Sequence, residues 1–87
     1  MNGEFSVCQF FIDDSYEYVR RFVDAKEAVL AFKHYSSSVG ARLGTTKRVI
    51  VTDGGDCVNM EWQYGKGITY PPELATGNED DLERDRR

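Results

Sequence analysis

The chain is poor in the residues from which small proteins build covalent and metal staples. Its 87 residues hold two cysteines, Cys8 and Cys57, and one histidine, His34. Two cysteines are too few for a disulfide framework or a cysteine-based zinc site, and a lone histidine does not make one either. No apolar run approaches the roughly 18 residues that a membrane-spanning helix needs. The start, Met1-Asn2-Gly3-Glu4, lacks the basic stretch and apolar core of a secretory signal. A reduced, cytoplasmic protein with no membrane partner is the expectation.

Generic nucleic-acid affinity is also disfavoured, because the formal net charge is −4. The charge is unevenly placed, however. The bases concentrate between residues 18 and 52, while both flanking stretches are acidic. A local anion site in the middle of the chain therefore stays open.

What the sequence does have is aromatic and β-branched residues in short runs. Arg48-Val-Ile-Val-Thr-Asp-Gly-Gly-Asp-Cys-Val-Asn-Met-Glu-Trp62 reads as a β-hairpin. A turn centred on Gly54-Gly55 supplies positive φ and sets Val51 against Val58, Val49 against Met60 and Arg48 against Glu61. Phe5 to Ile12 and Tyr16 to Val23 read as two further strands around an Asp13-Asp14-Ser15 turn. Asp24 then stands three residues before Glu27, the spacing of a capping box, so a helix is expected to begin there. Its apolar stripe is Ala25, Ala28, Val29, Phe32 and Tyr35. Gly40 or Gly44 would end it in a left-handed turn. Gly65-Lys66-Gly67 bends the chain into a short Ile68–Tyr70 extension, and Pro71-Pro72 ends pairing.

The resulting order is ββαββ, an α+β fold: a four-stranded, mainly antiparallel sheet with one helix packed on one face. Residues 1–72 form the expected domain. Residues 73–87 are polar, with Leu74 and Leu82 as the larger apolar side chains, and are expected to be a disordered tail. Strand one is apolar on both faces: Phe5, Val7 and Phe11 on one, Cys8, Phe10 and Ile12 on the other. A single helix covers one face. The other is expected to bury itself against a second copy, which makes Cys8, Phe10 and Ile12 candidate interface residues. The alternative is that the chain's own end folds over that face.

Each candidate for chemistry has a plainer reading. Asp53 and Asp56 offer two carboxylates to a hard cation, but Asp and Gly are also what a solvated turn wants. Gly65-Lys66-Gly67 lacks the spacing of a phosphate loop. Cys8 or Cys57 with His34 would need a reactive thiol, whereas cysteines inside strands pack as small apolar groups. Arg20 and Arg21 among Tyr16, Tyr18 and Phe22 mix bases with rings as single-strand platforms do, although strand alternation puts them on opposite faces. The glycine- and hydroxyl-rich connection from Ser36 to Arg48 is the best functional candidate. There Lys33, His34, Arg42, Lys47 and Arg48 are the candidate anion-binding residues. The plainer reading is a helix C-terminus, where cations complement the dipole.

The second half of the chain, from Arg48-Val-Ile-Val-Thr-Asp-Gly-Gly-Asp-Cys through Glu61-Trp62 to Gly65-Lys-Gly-Ile-Thr-Tyr-Pro71, resembles small uncharacterised bacterial proteins. That resemblance implies a bacterial source; it carries no activity and no site residues over to this chain. The expected protein is a non-enzymatic protein-interaction or regulatory module, homodimeric, without cofactor, catalytic residue or metal ligand. The alternative is an anion or nucleic-acid binder using residues 33–48.

Overall fold

The computed structural model describes residues 3–71. Two strands, β1 (Phe5–Phe11) and β2 (Tyr16–Val23), precede helix α1 (Ala25–Ser36) and a short helix α2 (Val39–Leu43). Then come β3 (Thr46–Thr52), β4 (Val58–Gln63) and β5 (Gly67–Tyr70). The strands form one antiparallel sheet in the order β2-β1-β3-β4-β5. The α+β class stands. The sheet has five strands and the described residues two helices, against the expected four and one. The Ile68–Tyr70 extension is long enough to pair fully with β4. The region 73–87 lies outside the described residues.

Helix α1 starts where the cap signal puts it. The Asp24 carboxylate accepts the Glu27 backbone N–H at 2.8 Å. The reciprocal half of the capping box is replaced by a tertiary contact, since the Glu27 carboxylate lies 3.4 Å from Arg20 on β2. The helix does not run on to Gly40 or Gly44. Hydroxyls compete for the last carbonyls: Ser37 Oγ donates to Lys33 O at 2.7 Å. Ser38 then caps a new helix, accepting from Ala41 N at 3.1 Å. Gly44 ends α2 rather than α1, at a φ of 89°.

The core lies between α1 and the sheet. Phe32, Val7 and Val49 are fully buried, with Ala28, Ala31 and Val51 around them. Ala31 joins the expected stripe, whereas Ala25 is exposed. Gln9 faces the helix side too, and a short polar chain satisfies it. Its Nε2 donates to Glu17 at 3.1 Å, and its Oε1 accepts from Thr46 Oγ1 at 3.2 Å. Thr46 lies under α2, where a Cβ at Gly40 would stand 3.0 Å from its hydroxyl.

The β3–β4 register corrects the expected one. Val51 faces Met60, Val49 faces Trp62 and Arg48 faces Gln63. The loop closes between Asp53 N and Cys57 O, and positive φ falls on Asp56 at 64° rather than on Gly54 or Gly55. A longer loop and a bulge beside Val58 shift the pairing by two residues. A two-residue slip keeps the faces, so Val49, Val51, Met60 and Trp62 still meet the core. Val58 instead pairs with Thr52 and leaves the core side.

Candidate association face

Both helices pack on one face of the sheet. The other face carries two rows of side chains set by the strand registers. One row runs Tyr18, Cys8, Ile50, Glu61 across β2, β1, β3 and β4. The next runs Tyr16, Phe10, Arg48, Gln63. Among the described residues no helix covers these rows.

The β2 side of this face is aromatic. The Phe10 and Tyr16 rings lie 5.9 Å apart, and Tyr16 and Tyr18 6.1 Å, edge to face. The Arg21 guanidinium sits 4.5 Å over Tyr18 and 5.5 Å from Phe22. Two bulges in β2 bring this about, pushing Arg20 toward the helix and Arg21 to the open side. Phe22 holds a left-handed φ of 56°, a conformation that a bulky residue rarely takes.

The β3–β4 side is a shallow cleft of about 490 Å³, lined by Phe10, Lys47, Arg48, Glu61 and Gln63. Arg48 Nε donates to Glu61 Oε2 at 2.6 Å, and Gln63 Nε2 donates to the same oxygen at 2.9 Å. The Arg48 guanidinium also lies 5.1 Å from the Phe10 ring. Burial pushes the Glu61 carboxyl up, but the hydrogen bonds and charge of its neighbours, Arg48 first, outweigh it and hold it below the usual range.

The candidate interface residues separate. Cys8 and Phe10 belong to the open face, Cys8 only 2% exposed. Ile12 lies one residue past the end of β1 and is 68% exposed, its N–H bonded to Thr45 O. The candidate anion ligands also divide. Lys47 and Arg48 line the cleft, but each meets a carboxylate, Lys47 pairing with Asp14 at 2.5 Å. Lys33 and His34 are exposed on α1, on the other side of the sheet, and Arg42 is exposed on α2. His34 leans edge-on against Tyr35 at 4.8 Å.

The remaining polar clusters are occupied by structure. Asp53 accepts the N–H groups of Cys57 at 3.1 Å and Gly55 at 2.8 Å; these bonds, Cys57 first, with the Asn59 side chain, lower its carboxyl below the usual range and hold the loop. Among the described residues no three His, Cys, Asp or Glu side chains gather as a metal site. Cys57 is exposed in the loop rather than inside a strand. Burial pushes the Cys8 thiol up, away from the reactive range. Among the described residues no helix is long and apolar enough to cross a membrane.

Gln63, Glu61 and Ile50 are members of the face that sequence reasoning passed over as site residues. Their signal is strand alternation, which sets Arg48 and Ile50 of β3 and Glu61 and Gln63 of β4 on the side away from the core in either register. No known family model matches the chain, and neither a curated protein nor a solved structure matches it.

Proposed function

We propose that the protein is a small cytoplasmic, non-enzymatic interaction module that forms a homodimer through the helix-free face of its sheet. The observation that carries this is the composition of that face. Tyr16, Tyr18, Phe10 and Arg48 are the residue types that dominate protein interfaces. Cys8 and Ile50 between them are already nearly dry, at 2% and 8% exposure.

The sheet edges support face-on rather than edge-on association. β2 is interrupted by two bulges and carries Glu17, Arg20 and Arg21. β5 has only four residues. Both are devices that discourage strand addition. Size sets a further condition. Strands about 4.8 Å apart and residues about 3.3 Å apart give a face of roughly 20 by 20 Å, or about 800 Å² over two copies before surface roughness. A specific interface needs roughly 1,000 Å² or more. The flat area falls short of that, so the second copy must use the whole face together with the relief of its side chains.

Light scattering over a dilution series tests the reading. The expected result is twice the chain mass at about 100 μM, falling toward the chain mass on dilution. A single-chain mass throughout overturns it.

A second reading places an anion or single nucleic-acid strand in the cleft, supported by Lys47, Arg48 and the Phe10 ring. Such a ligand would have to compete with Asp14 and Glu61 for both cations. Oligonucleotide binding that falls steeply between about 50 and 200 mM salt favours this reading over the dimer.

A further inference from the structure

We infer that Arg48 and Glu61 act as the self-recognition pair of the dimer, each reaching its opposite on the second copy and so fixing partner and orientation. This rests on the reading above, that a second copy occupies the open face. The pair stands among Phe10, Ile50 and Gln63 near the middle of that face. It is half sheltered, the Arg48 side chain 38% exposed and that of Glu61 17%. Within one chain such a partly exposed pair adds little stability. Its bonding is also incomplete. Arg48 reaches Glu61 through Nε alone. Among the described residues neither terminal nitrogen of the guanidinium has a hydrogen-bond partner, so its outer edge is left for a further acceptor.

Symmetry supplies that acceptor. A two-fold axis lying between the faces, across the line joining the two side chains, sets Arg48 of each copy over Glu61 of the other. Four charges then alternate in a closed ring. Any docking that sets Arg48 over Arg48, or Glu61 over Glu61, brings like charges together as the face is desolvated, which is strongly disfavoured. The pair thus selects against other arrangements more than it adds affinity. The shallow cleft over it is the space that the second copy's side chains enter.

The test uses the double reversal Arg48→Glu/Glu61→Arg, which keeps the pair within each chain. This variant is expected to fold, by circular dichroism, and to dimerise with itself. Mixed with isotope-labelled wild type, it should form mixed dimers about tenfold or more below the statistical proportion in native mass spectrometry, since opposed like charges cost at least a tenfold factor. Mixed dimers at the statistical proportion overturn the inference and leave the dimer reading intact. A monomeric wild type overturns both. Should the double reversal not fold, Arg48→Glu and Glu61→Arg are compared singly and mixed. The inference expects dimers only in the mixture, and homodimers of either variant as stable as wild type overturn it.

Discussion

Replacing Phe32 by alanine tests whether α1 is the anchor of the fold. The ring has no exposed surface and sits among Val7, Ala28, Ala31, Val49 and Val51. Truncation removes its burial energy and leaves a cavity that α1 and two strands can only partly close. The cost should be about 3–5 kcal/mol. At roughly 0.05–0.15 kcal/mol per residue, a unit of this size has only about 4–10 kcal/mol in total. Phe32→Ala should therefore be close to unfolded or lose about half its stability. Leu30, on the same helix and 59% exposed, is the control. Leu30→Ala should shift stability by no more than about 0.5 kcal/mol. Both substitutions introduce the best helix former, so the difference between them reports packing rather than propensity. The assay is urea denaturation followed by circular dichroism at one fixed protein concentration, because association adds to apparent stability. A Phe32→Ala cost below about 1 kcal/mol, or one matched by Leu30→Ala, would refute the placement of α1.

Two further outcomes follow from the ionisable groups. Glu61, Asp13 and Asp53 all have carboxyls held below their ordinary range. A lowered folded pKa gives stability that is complete above the unfolded value and is lost as pH falls through the folded one. The urea midpoint should hold from pH 7 to about 5 and drop below about 4.5, with a shallower drop in Glu61→Gln. A midpoint that rises on acidification contradicts this. The two thiols should separate cleanly: exposed Cys57 reacts at once with an aromatic disulfide reagent, and buried Cys8 only after denaturant is added. Equal native rates for both would mean that the middle of the open face is wet.

Local signals carried most of the fold. Asp24 marked the start of α1, and the limits of β2 followed from Tyr16 to Val23 because turn and cap residues bound that run. What stayed hidden was decided by tertiary contacts. The two-residue slip in β3–β4 arises because Asp53 holds a longer loop through Gly55 and Cys57, leaving positive φ to Asp56. Helix α2 depends on Ser38 restarting a helix where serines usually end one. Gln9 looks misplaced on a core face until Thr46 and Glu17, distant in sequence, supply its partners. Of the candidate interface, Cys8 and Phe10 were readable from strand alternation. Ile12 failed to join them because β1 ends before it. The anion candidates Lys33, His34 and Arg42 are close to Lys47 and Arg48 along the chain, yet the helix crossing puts α1 and the cleft on opposite sides of the sheet.

Strand one also could not say which of its faces meets the helix, and that assignment now permits the most direct test. Val7 is fully buried under α1, and Phe10 lies on the open face. Sedimentation velocity at about 100 μM, a concentration well above the dissociation constant of a stable dimer, should be run on the wild type, Phe10→Glu and Val7→Glu, with circular dichroism on each. The expected result is a wild-type dimer, a folded Phe10→Glu monomer, and an unfolded Val7→Glu chain carrying an unpaired buried charge. A folded Phe10→Glu that sediments at the same mass as the wild type would contradict it.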